Sequence, residues 1–290
     1  PPSRYPPIRA LAQNWHICRC ARAPIRYTAC MLSYQHIYHA GNLADVHKHS
    51  LLAWMLGYLT RKDKPLSYLE THAGRALYDL SDTPALKTGE AAQGIGRARG
   101  WFGNSHPYAQ VLDQITREQG ADAYPGSPLL AAKLLRDSDS IHLAELHPGE
   151  HAALDLAMSP YNAKCHYRDG FDMAFALTPP TPRRGLMLID PSFEIKTDYV
   201  DIPRHIGKLA RAWNVGIIAL WYPILTSKAH QPMLSALMGA HPEALRHEVS
   251  FAPARPGHGM VGSGMFVLNP PYGLKEEAAR LTAKFKTLPR

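Results

Sequence analysis

Short apolar runs that alternate with helix-length segments constrain the fold of this chain more than any other feature of its sequence. Five such runs follow one another between residues 66 and 220, and helix-length segments such as residues 149–158 and 202–213 separate them. Strands that alternate with helices are typical of a largely parallel sheet with helices on both faces. We therefore predict an α/β fold with a Rossmann-like sheet. Its predicted parallel strands are residues 66–70, 141–144, 165–168, 186–189 and 215–220.

Two further features complete the predicted organisation of a single domain over residues 31–290. Residues 246–252 and 264–268 are strand-like and joined by a glycine-rich segment, which predicts an antiparallel hairpin at the sheet edge and a seven-stranded sheet. From about residue 82 to 124 the alternation is interrupted, and we predict an inserted helical subdomain there, with one helix over residues 108–119. The glycines of residues 94–100 follow no strand, so we assign them no nucleotide-binding role.

The composition excludes several classes of protein. Of the 290 residues, 46% are hydrophobic and 19% are charged, which is typical of globular proteins and not of disordered chains. The longest apolar stretches, residues 51–59 and 216–224, are shorter than the roughly 18 residues that a membrane span needs. We therefore expect a cytoplasmic monomer with no membrane partner.

The first 30 residues differ from the rest of the chain. They contain five arginines and no acidic residue, so they carry five of the eight net positive charges. They lack the uninterrupted apolar core of a signal peptide. A zinc site built from Cys18, Cys20, Cys30 and His16 would not have CxxC spacing, and we predict no metal site. We expect residues 1–30 to be a non-core extension ahead of a natural start at Met31.

A turn of small residues follows the first predicted strand. Residues 66–70 lead directly into Thr71-His72-Ala73-Gly74, and a turn at this position of a Rossmann-like sheet is where nucleoside cofactors bind. A helix is predicted to begin at Asn42 and to carry Lys48 and His49.

The segment Asp190-Pro191-Ser192-Phe193 follows the fourth predicted strand and suits chemistry on a base amine. The lone pair of such an amine is delocalised into the ring. A carboxylate and a backbone carbonyl that accept its two N–H bonds would localise that pair during methyl transfer. Pro191 would stiffen the loop, and Phe193 would stack on the base. The alternative interpretation is an ordinary strand-to-loop turn, because Asp-Pro is common in turns.

A series of ordered segments resembles the RlmJ family of bacterial large-subunit ribosomal RNA adenine-N6 methyltransferases, which are class I methyltransferases that use S-adenosylmethionine. The resemblance runs from Met31 to about Tyr272 and excludes residues 1–30. The segments are residues 31–50, 62–74, 124–129, 144–148, 168–171, 183–199, 219–223 and 262–271.

The resemblance implies roles for particular residues. It implies that S-adenosylmethionine is the cofactor, that S-adenosylhomocysteine is its product, and that 23S ribosomal RNA is the substrate. The implied catalytic residues are Asp190, Pro191 and Phe193, and the implied RNA contacts are Tyr34, His36 and Lys48. The implied cofactor-binding residues are His49, His72, Gly74, Ser127, Glu145, Asp169, Gly170 and Asp190.

Several of these residues also have a purely structural interpretation. Glu145 is placed to accept hydrogen bonds from both ribose hydroxyls and Asp169-Gly170 suits the adenine edge, but both are also typical of surface turns. Ser127 fits a turn or a helix N-cap. A histidine such as His49 in an apolar helix is more often a hydrogen-bonded core residue, and Lys48 contacts phosphate or the target base, or is simply solvated.

Two positions depart from the pattern of the family. Ala76 stands where the glycine turn usually has a second glycine, which would narrow the approach to the cofactor. Ser192 replaces the second proline of the usual Asp/Asn-Pro-Pro-aromatic signature and makes the catalytic loop less rigid, which puts the catalytic rate in doubt.

We predict N6 methylation of a specific adenine in 23S ribosomal RNA, with the target base unpaired or flipped out of its helix. The same chemistry on DNA adenine is the nearest alternative. A dinucleotide-dependent oxidoreductase would need a full G-x-G-x-x-G turn, and a nucleic-acid-binding protein without catalysis is the third alternative. Because residues 31–290 are only mildly basic, we predict a shaped contact patch for the RNA, and its candidate cations are Arg61, Lys62, Lys64, Arg183, Arg184 and Lys196.

Overall fold

A seven-stranded sheet lies at the centre of the computed structural model, which describes residues 35–255, 257 and 259–289. The predicted extension over residues 1–30 and the predicted RNA contact Tyr34 lie outside the described residues. The strands of this sheet are β1 (Ser67–Glu70), β4 (Ser140–Glu145), β5 (Ala163–Tyr167), β6 (Gly185–Ile189), β7 (Ile217–Leu225), β8 (Leu245–Ser250) and β9 (Met260–Leu268). Strands β2 (Leu77–Asp79) and β3 (Ala123–Pro125) form a separate two-stranded sheet.

Helices cover both faces of this sheet, as predicted. They are α1 (Leu43–Thr60), α2 (Thr83–Thr88), α3 (Glu90–Gln93), α4 (Ile95–Ala98), α5 (Pro107–Gln119), α6 (Ser127–Leu134), α7 (Pro148–Met158), α8 (Gly170–Leu177), α9 (Asp198–Ala212), α10 (Gln231–Ala240) and α11 (Leu274–Phe285). No helix of the described residues is long and apolar enough to span a membrane.

The sheet has the order β5-β4-β1-β6-β7-β9-β8. The first five strands of this order are parallel, and β9 runs antiparallel between β7 and β8. The predicted α/β fold and its terminal hairpin are therefore confirmed. Strand β7 is longer than predicted: it continues beyond the end of its pairing with β6, because β9 supplies a partner for residues 221–225.

The sheet separates two hydrophobic clusters because successive side chains of a strand point to opposite faces. Tyr68 packs with the cluster under α1, α5, α6, α7 and α11, whereas Leu69 packs with the cluster under α8, α9 and α10. Helix α1 is buried on almost all sides, and its buried residues include Asp45, His47, Lys48 and His49. The Asn42 side chain caps this helix as predicted, since its Oδ1 accepts the Asp45 N–H at 2.9 Å.

The stretch from residue 82 to 124 holds four helices, α2 to α5, and ends in β3, which pairs antiparallel with β2. The glycine cluster at residues 94–100 has a packing role. A Cβ at Gly94 would lie 2.1 Å from the carbonyl oxygen of Gly41, and the Ile95 N–H donates to that same oxygen at 2.8 Å.

The close approach of β6 to β1 predicts the effect of one substitution. A Cβ added at Gly185 would lie 2.0 Å from the Ser67 carbonyl oxygen, so we expect Gly185→Ala to lower the free energy of unfolding by about 1–3 kcal/mol or more. Gly239 lies exposed in α10 with no atom within 4 Å of the added Cβ. Gly239→Ala should therefore be neutral or stabilising by up to about 1 kcal/mol. Urea denaturation followed by circular dichroism checks both, and a Gly185→Ala protein as stable as the unaltered one contradicts the prediction.

Candidate active site

Acidic side chains gather at one edge of the sheet because four neighbouring parallel strands end there. Glu70 and Glu145 are the last residues of β1 and β4, and Asp169 and Asp190 follow β5 and β6 closely. This is the edge at which ligands bind in open α/β sheets. The structure therefore brings together Glu145, Asp169 and Asp190, which are predicted site residues.

The turn after β1 is held by hydrogen bonds from its neighbours. The Gly74 N–H donates to Glu145 Oε2 at 2.9 Å, and the His147 N–H donates to Glu145 Oε1 at 2.7 Å. Gly74 has a φ of +63°, and Ala76 has a φ of +68° although it carries a Cβ. The alanine is thus accommodated in the left-handed conformation that glycine usually fills. Burial raises the pKa of Glu145.

Asp169 and Gly170 begin α8, and both have a structural role that the sequence alone did not reveal. Asp169 Oδ1 accepts the Asp172 N–H at 3.0 Å and caps the helix. A Cβ at Gly170 would lie 1.9 Å from the Thr71 carbonyl oxygen. Glycine is therefore required for α8 to start against the turn that follows β1. That Asp169 and Gly170 bind the cofactor stays a prediction.

Asp190 is bound by Lys48, and this ion pair joins β6 to α1. Lys48 Nζ lies 2.6 Å from Asp190 Oδ2 and 3.0 Å from Asp45 Oδ1. The Lys48 side chain is 5% exposed and that of Asp190 is 13% exposed. The interpretation of Lys48 as a solvated lysine is therefore wrong, because the side chain is buried between two carboxylates. Its predicted RNA contact stays a prediction.

The charges of this ion pair stabilise one another. Burial lowers the pKa of Lys48, but the carboxylates of Asp190 and Asp45 outweigh this effect and raise it. Burial likewise acts to raise the pKa of Asp45, but His36, Lys48 and His49 bring it well below its ordinary range. Asp45 Oδ2 also accepts the Gly41 N–H at 2.9 Å and lies 2.9 Å from His36 Nε2. Asp45 therefore contacts both Lys48 and His36, a predicted RNA contact, and connects His36 to the Lys48–Asp190 pair.

The two predicted cofactor histidines have different surroundings. His49 is fully buried, and its Nδ1 lies 2.9 Å from the Tyr124 hydroxyl. Burial lowers its pKa to about 3, so the imidazole is neutral and has the bonding of a core histidine. His72 is half-buried in the turn after β1, and its Nδ1 lies 2.7 Å from Thr71 Oγ1. Burial lowers the pKa of His72 as well.

Sequence reasoning missed Glu70 as a member of the site. The Ser127 hydroxyl donates to Glu70 Oε1 at 2.5 Å, and the Tyr68 hydroxyl donates to Glu70 Oε2 at 2.8 Å. Burial raises the pKa of Glu70 to about 8. The signal was available, because Glu70 is an acidic residue at the end of a buried apolar strand. Ser127 is not the N-cap of α6, since Gly126 takes that position.

The loop after Asp190 turns inward. Phe193 has a φ of +56° and is 8% exposed, and its ring centroid lies 4.9 Å from that of Tyr199 and 6.2 Å from that of Trp221. Pro191 is buried and Ser192 is exposed. The predicted stacking of Phe193 on a base stays a prediction, and it requires this loop to rearrange so that a face of the ring becomes accessible.

The predicted set of RNA-contacting cations does not form one patch. Arg61, Lys62 and Lys64 precede β1, and Arg183 and Arg184 precede β6, so these five residues lie at the opposite edge of the parallel strands from Asp190. Arg184 is also bound to the carbonyl oxygens of Lys64 and Leu59. The prediction of a shared patch was wrong because residues before and after a parallel strand lie at opposite ends of it. Lys196 lies on the Asp190 side.

The strand order with its antiparallel β9, together with the carboxylates at the ends of β1, β4, β5 and β6, defines a Rossmann-like class I methyltransferase fold. A family model described as "Ribosomal RNA large subunit methyltransferase D, RlmJ" matches residues 63–287. The chain belongs to this RlmJ family.

Individual relatives agree with this assignment. The chain is 40% identical over 254 residues to the ribosomal RNA large subunit methyltransferase J of Escherichia coli, covering 85% of this chain and 90% of that protein. It is 37% identical over 257 residues to the protein of the same name from Haemophilus influenzae, with the same coverage. The crystal structure of protein LPL1258 from Legionella pneumophila is similar, with a TM-score of 0.78 and 36% identity over 86% of this chain and 93% of that one.

Glu70 predicts a specific dependence of stability on pH. Its pKa rises from an ordinary value of 4.5 to about 8 on folding, so the folded protein keeps a proton that the unfolded chain releases between these values. This contribution to stability is complete below pH 4.5 and is lost as pH rises through 8, at about 1.4 kcal/mol per pH unit.

We expect the difference in unfolding free energy between the unaltered protein and Glu70→Gln to fall from pH 5 to pH 8. The matched control Glu276→Gln, at an exposed position of α11, should show no such trend. A constant difference for Glu70→Gln contradicts the prediction.

Proposed function

We propose that this chain transfers a methyl group from S-adenosylmethionine to the N6 amine of an adenine in large-subunit ribosomal RNA. Membership of the RlmJ family supports the reaction class, and the names of its relatives support the RNA substrate. The observation that carries the proposal is Asp190, a partly exposed carboxylate at the end of β6 that is held by Lys48.

The residues present at this edge fit the proposed cofactor. When bound, S-adenosylmethionine supplies an electrophilic methyl carbon on a positively charged sulfonium. Glu145, Asp169 and Asp190 lie at the ends of neighbouring strands, and Lys48 is shared between Asp45 and Asp190, so the environment beside these carboxylates favours a cation. The residues that would hold the cofactor are His49, His72, Gly74, Ser127, Glu145, Asp169, Gly170 and Asp190.

Glu145 can accept further hydrogen bonds from the hydroxyls of a ribose. Each of its oxygens accepts one backbone N–H, and a carboxylate oxygen can accept a second hydrogen bond. The bonds to Gly74 and His147 fix the direction of the carboxylate before any ligand binds. A preorganised acceptor of this kind lowers the entropic cost of binding a ribose diol.

Asp190 would orient the amine of the target base. Lys48 bonds to Oδ2, and the part of the chain that the structure describes supplies no hydrogen bond to Oδ1. This oxygen is therefore positioned to accept an amine N–H, and the Pro191 carbonyl would accept the other. Accepting both bonds localises the nitrogen lone pair, which raises its nucleophilicity. Lys48 fixes the rotamer of this carboxylate through its contact with Oδ2.

The depth of Asp190 determines how the base must be presented. Since only 13% of its side chain is exposed, a base that is stacked inside a helix cannot reach it. The target adenine must be unpaired or flipped out of its helix. The exposed cations of the loops on this side are placed to contact the phosphates that flank it, and they are Arg168, Lys196, Lys228 and Arg255.

Asp190→Ala tests the proposed chemistry. Alanine removes both acceptor oxygens, whereas asparagine would keep one and also occurs at this position of the Asp/Asn-Pro-Pro-aromatic signature, so we expect kcat to fall on the order of 10²–10³-fold or more. The assay is incorporation of labelled methyl groups into protein-free large-subunit ribosomal RNA, followed by mass spectrometry of the modified nucleoside.

The control for this experiment is Asp155→Ala, the same substitution at an exposed position of α7, which should leave kcat unchanged. A DNA hairpin with the sequence of the RNA target, in the same assay, tests the alternative substrate. Unchanged turnover in Asp190→Ala overturns the role of this residue, and equal transfer to DNA overturns the RNA specificity.

The position of the basic residues predicts which of them bind RNA. We expect the double variant Arg168→Ala/Lys196→Ala to bind an RNA hairpin more weakly than the unaltered protein. The slope of log affinity against log salt concentration should also become shallower, by about 0.7–0.9 for each phosphate that the protein no longer neutralises. The matched control Lys62→Ala/Lys64→Ala removes the same charge from the opposite edge of the sheet and should leave both quantities unchanged. Fluorescence anisotropy at several salt concentrations measures them. The reverse ranking of the two variants contradicts the proposed binding side.

A further inference from the structure

A chain of hydrogen bonds runs from Trp221, beside the candidate site, across the protein to α11. The Trp221 indole Nε1–H donates to Ser263 Oγ at 2.9 Å, and Ser263 Oγ lies 2.8 Å from His47 Nδ1. His47 Nε2 lies 2.9 Å from His247 Nδ1, and His247 Nε2 lies 2.7 Å from Thr282 Oγ1. The chain therefore joins β7, β9, α1, β8 and α11.

The hydrogen bonds fix the direction of every proton in this chain. Thr282 Oγ1 donates its proton to the Ala278 carbonyl oxygen at 3.1 Å, so it accepts from His247 Nε2–H. A neutral imidazole has one donor and one acceptor, and His247 Nδ1 must therefore accept from His47 Nε2–H.

The hydrogen bonds at the Trp221 end of this series agree with this assignment of protons. His47 Nδ1 is then an acceptor and takes the Ser263 hydroxyl proton. The indole N–H can only donate, so it occupies a lone pair of the same hydroxyl. All donors consequently point from Trp221 towards α11, and both imidazoles carry their proton on Nε2.

Burial makes this direction hard to reverse. His47 and Ser263 are fully buried, so neither has bulk water as a substitute partner. A second proton on His247, at Nδ1, would face the His47 Nε2–H across the 2.9 Å contact. A second proton on His47, at Nδ1, would face the hydroxyl hydrogen of Ser263. Burial lowers the pKa of both rings, and a charge on His247 would lower the pKa of His47 further. Glu248, beside His247 on β8, acts in the opposite sense on His247, while the Phe285 ring packs against His47.

Trp221, where this series of hydrogen bonds starts, lies beside the Lys48–Asp190 ion pair. Trp221 is in the part of β7 that extends beyond β6. The Lys48 ammonium lies 5.6 Å from the centroid of its ring, within the range of a cation–π interaction. The edge-on contact with Phe193 places the same indole against the loop that carries Asp190.

We propose that Trp221 is a positioning residue, whose indole is held by Ser263, His47 and His247 so that it keeps Lys48 against Asp190. The indole has one hydrogen-bond donor, and binding it to Ser263 fixes the ring plane on which Lys48 rests. This role rests on the proposed function, because Asp190 is the proposed catalytic residue and Lys48 sets its orientation. The prediction that follows is a loss of rate without a loss of cofactor binding.

Two variants test the proposal kinetically. Trp221→Phe removes the indole donor, and Ser263→Ala removes its acceptor. We expect each to lower kcat about tenfold or more, in line with the rate cost of small misplacements in active sites, while the dissociation constant for S-adenosylhomocysteine changes less than twofold by calorimetry. The control Trp213→Phe also removes an indole hydrogen bond, that to the Arg183 carbonyl oxygen, at the opposite edge of the sheet, and should leave kcat unchanged.

A second measurement does not depend on variants that fold. In the unaltered protein, ¹⁵N chemical shifts of the imidazole nitrogens should show neutral, Nε2-protonated His47 and His247 from pH 6 to pH 8. A Nδ1-protonated or charged ring overturns the proposed chain. If Trp221→Phe and Ser263→Ala both keep the kcat of the unaltered protein, the positioning role is overturned. If the unaltered protein transfers no methyl group to ribosomal RNA, the proposed function itself has failed.

Discussion

The buried ion pair between Lys48 and Asp190 is the interaction on which the candidate site depends. Burying a lysine costs several kcal/mol unless opposite charges compensate it, and here Asp45 and Asp190 share that role at 3.0 and 2.6 Å. Asp45 is itself fixed by a backbone N–H at the start of α1. The N-terminal half of α1 is consequently polar and yet buried, and it can only pack where the end of β6 supplies a carboxylate. The pair thus couples the placement of a helix to the orientation of Asp190, the proposed catalytic residue.

Backbone contacts assemble the rest of this edge. The turn after β1 binds Glu145 through the Gly74 N–H, and α8 starts against the same turn because Gly170 has no Cβ. The two contacts tie the ends of β4 and β5 to the end of β1. Their effect is an arrangement of carboxylates that exists before a ligand binds, and such preorganisation is what makes electrostatic stabilisation effective in catalysis.

Much of this arrangement was predictable from local sequence, but the partners of the side chains were not. The periodicity of the apolar runs located the strands, and the position of Asp190 after a buried run placed it at the ligand edge. The same reasoning treated Lys48 as a surface cation, because nothing local shows that a helical lysine faces a carboxylate 142 residues further along the chain. It also grouped Lys62 and Arg183 with Lys196, since proximity to motifs in sequence does not tell which end of a strand a residue occupies. The inward turn of Phe193 depends on Tyr199 and Trp221, which belong to other elements.

The amino-acid sequence by itself determined the α/β class, the strands of the central sheet, the loop that carries Asp190 and the family to which the chain belongs. Each of these depends on short-range periodicity or on contiguous motifs. Only the tertiary structure decided that Lys48 binds Asp190, that Glu70 holds a proton near neutral pH, and that His47 and His247 link Trp221 to α11. These properties arise from burial and from distances between residues far apart in the chain, and no local pattern of residues encodes them.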